Sequence, residues 1–242
     1  HPPCTSTRDL IQAFGEARRC RSNSARSSQR PPRITPRPTV QGSQTAIVVG
    51  TASDEIYWRI SYERTSEDIG PQWGRMLHNL DSASHRELYA QPGNWNDPDM
   101  LEVGNGMSVA EDRAHFSMWS MLAAPLIAGN DLRSMSEETR AILTNRDVIA
   151  VNQDPLGAQA RRRRILASIE VWIKPLSGGD LAVALLNRAA TAQPVSYDWR
   201  EVEGVYAIRD LWTKEMRGDT TAPLAAEIPP HDVIMLRLEK TQ

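Results

Sequence analysis

The chain has 242 residues, 40% of them apolar and 24% charged, with a formal net charge of -2. That length suits one large domain or two smaller ones with a sizeable core, and the near-neutral balance gives no general affinity for nucleic acid or acidic membranes. Two cysteines, Cys4 and Cys20, are too few for a disulfide scaffold or a Cys-rich metal site, and without an apolar run of 18 residues no spanning helix is expected.

Residues 1–55 read as an irregular segment with one short helix-like piece, Thr7 to Phe14. After it comes RCRSNSARSSQRPPRITPRPTVQGSQ, with hardly any apolar residue. Such a stretch cannot bury enough surface to offset its chain entropy, so disorder or irregular coil is expected. A basic nucleic-acid tail is the functional alternative, but the stretch lacks the interleaved aromatics that stack bases. No signal peptide is visible, and the chain begins with His1 rather than Met.

Residues 56–160 alternate short strand-like and helical pieces. PQWGRMLHNL places apolar residues at 73, 76, 77 and 80, one face of a helix. GNWNDPDMLEV supplies a short extended piece, and Ser108 with Glu111 forms a capping box opening a helix through Phe116, Trp119, Leu122 and Ala123. Ala124 to Gly129 is an apolar run of strand length. Ser134 with Glu137 repeats the capping-box signal before Arg140 to Leu143. Such alternation predicts parallel βα units, either a barrel or a doubly wound sheet.

Residues 165–242 change period. IEVWIK, VSYDW and VIMLRL alternate apolar and polar residues, separated by SGGD and PPHD turns. This predicts a small antiparallel β-sandwich following the α/β part. The run Arg161 to Arg164 at the joint reads as a solvated linker.

Functional side chains in parallel βα folds gather where strands end. The places to inspect are therefore Asp97 and Asp99, Asn130 and Asp131, and Arg64 to Ile69, whose acids are expected to converge at one rim. Carboxylates so gathered hold a hard metal or perform acid/base work on a glycosidic bond. Five histidines, at 1, 78, 85, 115 and 231, show no HxH or HExxH spacing, so no His-rich metal site is expected. Trp95 and Trp73 lie near the acids, where a flat apolar face suits a sugar ring. Against this, Asp97 or Asp99 could simply cap a turn. Arg64 and Asp68, four apart, could be an exposed ion pair contributing less than about 1 kcal/mol. Met118 and Trp119, at helical spacing, read as core.

Taken together, the motifs resemble glycoside hydrolase family 27, the α-galactosidases and α-N-acetylgalactosaminidases. GNWNDPDMLEVGNG is similar to that family's GGWNDPDMLEVGNG, and RAHFSMWSMLAAPLIAGNDLR and DVIAVNQDPLGAQ resemble its next signatures in the right order. RTSEDIGPQW is similar to its R-T-x-x-D-I-x-x-x-W segment. VWIKPLSGGDLAVALLNR, RDLW and IPPHDVIMLRL resemble its C-terminal β domain. The likeness spans residues 62–242.

The resemblance implies an α/β fold: the C-terminal part of a (β/α)8 TIM barrel, then an antiparallel β-sandwich. It implies retaining hydrolysis of terminal α-galactosyl residues, with two carboxyl groups about 5 Å apart. The acid/base falls on Asp68, and Arg64 on a sugar-contacting arginine near the 2-hydroxyl. Asp99 falls on an acid lining the galactose site, with Met100 beside it, while Trp95 and Asp97 support the strand end. No metal or organic cofactor is implied. The implied partner is a galactoside, with neither nucleic acid nor membrane, and oligomeric state is left open. A secreted or periplasmic site is a family-level expectation.

The family's nucleophile is an Asp in a K-x-D type motif on an earlier barrel strand, and no such motif occurs here. The nucleophile is therefore expected upstream of His1, Asp9 does not replace it, and the chain is expected to be an incomplete copy with negligible activity alone. The Arg/Ser/Pro-rich stretch departs from family composition and reads as a wrong-frame translation. Trp58 to Ser61 is a rival WR motif, with poorer spacing than Arg64, Asp68 and Trp73. Alternative activities are α-N-acetylgalactosaminidase, β-L-arabinopyranosidase, or carbohydrate binding without catalysis.

Overall fold

The computed structural model describes the backbone of residues 44–49 and 58–241, with side chains from Arg64 onward. The helix expected at Thr7 to Phe14, Asp9, most of the Arg/Ser/Pro-rich stretch and both cysteines lie outside those residues, as do the side chains of Trp58 to Ser61.

Strand β1 (Gln44–Val49) runs antiparallel to β2 (Trp58–Arg64), and β2 pairs in parallel with β3 (Asn94–Asp97), setting Arg64 opposite Asp97. Helix α1 (Trp73–Ser84) connects β2 to β3. Leu101 and Ala128 form one more parallel bridge, with helix α2 (Val109–Leu122) between them. One parallel βαβ unit, β2–α1–β3, is thus followed by a second parallel connection that closes on a single bridge. The antiparallel β1 was not anticipated. The Ala124 to Gly129 run is corrected from a strand to that single bridge, held by Leu101 N–H to Ile127 O (2.8 Å) and Gly129 N–H to Leu101 O (2.9 Å). Pro125, with no N–H, limits further pairing.

Of the stripe read from its spacing, helix α1 buries Met76 and Leu80 and half-buries Trp73 and Leu77; Asn79, Ala83 and Ser84 are buried with them. Helix α2 opens with the Ser108–Glu111 capping box and buries ten of its fourteen residues. It has no solvated face because it packs against α1, against α3 (Glu137–Leu143) and α4 (Arg146–Asn152), and against the C-terminal sheet. It ends at Ala123, in the left-handed region at φ 54°. Helix α3 is capped by Ser136 rather than Ser134: Ser136 Oγ accepts from Thr139 N–H at 3.1 Å. Glu137 and Glu138 then fall in the first turn, where the helix dipole favours them.

The C-terminal part forms a six-stranded antiparallel sheet in the order β4 (Arg161–Leu166), β5 (Ile169–Pro175), β6 (Leu181–Asn187), β11 (Val233–Lys240), β8 (Tyr206–Asp210), β9 (Met216–Asp219). A two-stranded sheet, β7 (Gln193–Tyr197) with β10 (Leu224–Ile228), completes it. Val171, Ile173, Val183, Leu185, Leu236 and Leu238 share a core with β7 and β10. Trp172, Ala184, Leu186 and Met235 join the helices in a second core. The large sheet is therefore a middle layer with apolar residues on both faces.

That layering explains where simple alternation misleads. Glu170 and Lys174 of β5 are buried on the same side as Trp172. Glu170 Oε1 accepts from Arg162 (2.8 Å) and Arg188 (2.7 Å), and its Oε2 accepts from Trp172 Nε1 (3.0 Å). Lys174 Nζ donates to Ser120 O of α2 at 3.0 Å. The arginine run is likewise corrected, from a linker to the edge strand β4. Arg162 also reaches Asp81 (3.3 Å), while Arg164 donates to Asp198 (2.8 Å) and lies 4.9 Å from the centre of the Tyr197 ring. A charged edge strand resists pairing with a second chain.

Candidate functional site

Because β2 and β3 are parallel neighbours, their C-terminal ends emerge side by side. Thr65 N–H donates to Asp97 O at 2.8 Å, extending the ladder one residue past β2. Asp97 Oδ1 then accepts from Asp99 N–H at 2.9 Å, an Asx-type turn across Pro98. Asp99 itself sits at φ 82°, in the left-handed region that few residues other than glycine adopt. It is held there from several sides. Trp119 Nε1 donates to its carbonyl (2.8 Å), Met100 N–H to Oδ1 (2.8 Å), and Ile69 N–H (2.9 Å) and Arg64 Nη2 (2.5 Å) to Oδ2.

The same Arg64 Nη2 donates to Asp68 Oδ1 at 2.7 Å. One guanidinium nitrogen thus gathers two acids from successive strand ends. Asp99 accepts three hydrogen bonds and its side chain is 20% exposed; that of Asp68, bonded only at Oδ1 among the described residues, is 92% exposed. Burial pushes the Asp97 carboxyl up; the Asp99 N–H bond opposes this, and the neighbouring Asp99 charge adds to it. Arg64 Nε and Ser66 Oγ are buried without a hydrogen-bond partner among the described residues. The cation between the acids is therefore built in as a guanidinium. No group of three His, Cys, Asp or Glu side chains suited to a metal ion occurs among the described residues.

Met100 lies beside the cluster, 37% exposed. A Cβ at Gly129 would fall 2.9 Å from Met100 Sδ and 2.6 Å from Leu101 O, so only glycine permits this approach. Trp95, on β3, packs its ring toward Gly157, where a Cβ would come within 2.7 Å. Trp73 points instead to the C-terminal part and stacks on His231 at 4.7 Å. The third acidic cluster is self-contained: Asp131 is bonded by Arg133 at 2.9 Å, which holds its carboxyl below the usual range.

Two supports were not read as such from the sequence. Trp119 is fully buried, as expected of core, yet its indole N–H fixes Asp99. Asn79 donates to Glu67 O (3.1 Å) and Pro98 O (2.9 Å) from within the apolar stripe of α1. A lone amide in an otherwise apolar stripe was the available signal.

Residues 47–154 match a family model described as alpha galactosidase A, and residues 167–238 match one described as the alpha galactosidase C-terminal beta sandwich domain. The Cellvibrio japonicus Alpha-galactosidase A is 44% identical over 200 residues, which cover 72% of this chain and 49% of that protein. Alpha-galactosidase I from Mortierella vinacea superposes with a TM-score of 0.67 at 26% identity, covering 74% of this chain and 53% of that one. A family 27 β-L-arabinopyranosidase from Geobacillus stearothermophilus gives a TM-score of 0.69 at 26% identity, covering 74% and 45%. The chain spans about half the length of the curated relatives it matches.

Proposed function

Given that the chain belongs to the α-galactosidase family of glycoside hydrolases, family 27, we propose that its strand-end acids serve retaining hydrolysis of a terminal α-galactoside. The observation that carries this reading is the Arg64 guanidinium shared by Asp68 and Asp99. Asp68, extended into solvent, is the acid/base: it protonates the leaving oxygen and later takes a proton from the attacking water. Asp99, its geometry set by Trp119, Ile69 and Arg64, offers a fixed carboxylate to sugar hydroxyls. Arg64 supplies a donor between the two acids, and Met100 an apolar surface for the C–H face of the ring. Trp95 and Asp97 support the strand end.

Asp99 is assigned binding rather than nucleophilic attack because both its oxygens are already occupied by donors. The nucleophile is assigned to an earlier barrel strand, outside the described residues.

The test uses aryl α-galactosides with good and poor leaving groups, hydrolysed by a full-length protein in which this chain is completed with the missing nucleophile strand, with and without Asp68→Asn, beside calorimetry with galactose. Removing an acid/base leaves cleavage of an activated aryl galactoside far less impaired than that of a poor leaving group, and azide restores turnover by trapping the glycosyl-enzyme. Equal loss on both substrates without azide rescue counts against Asp68. A second reading, carbohydrate binding without catalysis, is motivated by the lack of a K-x-D motif in this sequence. It is the outcome if galactose binds and no substrate is cleaved. Likeness to the arabinopyranosidase motivates the matching aryl β-L-arabinopyranoside as a competing substrate.

A further inference from the structure

Asn79 occupies a position of α1 that the neighbouring Met76, Leu80 and Ala83 mark as core, and it is fully buried. Its amide nitrogen donates twice, to Glu67 O at 3.1 Å and to Pro98 O at 2.9 Å. Glu67 immediately precedes Asp68 and Pro98 immediately precedes Asp99. A single NH2 group therefore ties the backbone of the two loops that present the acids. The other end of the same side chain gains nothing: Oδ1 is buried with no hydrogen-bond partner among the described residues. An unpaired buried carbonyl is destabilising, so an apolar residue would suit the helix core better. What the amide uniquely provides is two donors aimed at two loops.

Thr65 also joins the two strand ends, through Asp97 O, but before either acid is reached; the links at the acids themselves behave differently. Arg64 to Asp99 and Ile69 N–H to Asp99 run through the carboxylate that a ligand would engage. Asn79 acts on main-chain carbonyls from behind, where no ligand competes. We infer that Asn79 is a positioning residue that fixes the spacing between the Asp68 loop and the Asp99 loop. Its consequence for sugar binding rests on the assignment of Asp68 and Asp99 made above.

The experiment compares the full chain with Asn79→Leu, which fills the core without donors, and with Asn79→Ala in case leucine overpacks it. Three readouts are taken: the thermal midpoint, hydrogen exchange of individual amides, and galactose affinity by calorimetry. In the variants the Ile69 amide is expected to exchange at least about tenfold faster, since the two bonds that tie its loop to the Asp99 loop are lost. The amides of Met76 and Leu80 stay protected, the thermal midpoint of Asn79→Leu does not fall, and galactose binds about tenfold more weakly. Unchanged Ile69 exchange in both variants overturns the inference, as does a lowered midpoint with no effect at Ile69, the mark of a merely structural residue. Faster Ile69 exchange where even the wild type fails to bind galactose upholds the clamp and removes the sugar-site reading instead.

Discussion

Arg113 of α2 meets Asp232, next to β11, in a two-pronged ion pair: Nε to Oδ1 at 2.9 Å, and Nη2 to Oδ2. Asp232 is buried, and beyond this pair its Oδ1 accepts, among the described residues, only its neighbour's amide, Val233 N–H. The pair joins the barrel-like helices to the sheet, next to the Trp73–His231 stack and the His231–Glu111 contact. Arg113→Ala is expected to cost about 2–4 kcal/mol, because it strands a buried carboxylate. Adding Asp232→Asn should recover much of that loss. Urea unfolding of both single variants and the double decides it, and simple additivity would show that the two side chains do not act as a pair.

His115 presents the opposite situation, a buried polar ring with no compensation. It is enclosed in α2 against Trp119, with centroids 4.1 Å apart, and neither ring nitrogen has a hydrogen-bond partner among the described residues. Burial lowers its pKa to about 3. Below the ordinary value of 6.5 the unfolded chain takes up a proton that the folded chain refuses. Stability should therefore fall as pH drops from 6.5 toward 3, by at most about 1.4 kcal/mol per pH unit from this residue. His115→Leu is expected to flatten that slope and to be the more stable protein at pH 5. Parallel slopes for the two proteins between pH 4 and 7 would remove His115 as the cause.

Lys174 gives a second pH signature on the alkaline side. Burial brings its pKa down to about 7, partly offset by the Asp154 charge. Between that value and 10.5 the unfolded chain binds a proton the folded chain lacks, so stability should rise with pH across that range. Lys174→Met is unbranched and one atom shorter, so it fits the space without a charge, and Ser120 O still accepts from Ala123 N–H. The variant is expected to be more stable at pH 7 and to lose the alkaline gain. Thermal melts at pH 7 and 9.5 are sufficient, and the claim fails if the wild-type midpoint does not climb more than that of Lys174→Met.

How much of this was legible beforehand follows from the physical range of each signal. The stripe of α1 and the Ser108 box depend on residues three and four apart, so the pattern carries them directly. The Asp97–Pro98–Asp99 turn is local too, which is why the acids could be placed at a strand end. Assigning Asp68 and Asp99 to a sugar needed family resemblance, because two acids on an arginine suit several tasks. Long-range partners escaped. Nothing near Arg162 or Arg164 announces Asp81, Glu170 or Asp198, so a strand edge read as a linker. Alternation in β5 suggests one wet face, and only the stacking of helices on that face buries Glu170 and Lys174.

The two acids of the Asp97–Pro98–Asp99 turn should respond differently to the same conservative change. Burial pushes the Asp97 carboxyl up, so its environment already favours the neutral form. An asparagine there keeps an oxygen for the Asp99 N–H and is expected to alter stability by less than about 0.5 kcal/mol. Asp99 accepts backbone N–H bonds on both oxygens and a guanidinium bond on one. In Asp99→Asn one end of the amide must present hydrogens to a donor, whichever way it is flipped. The cost is about 1–3 kcal/mol, as for a buried donor left unpaired. Galactose affinity should drop with it, whereas Asp97→Asn binds as the wild type does. Chemical unfolding and calorimetry on the pair make the comparison, and equal losses in the two variants would mean that Asp99 is only another turn cap.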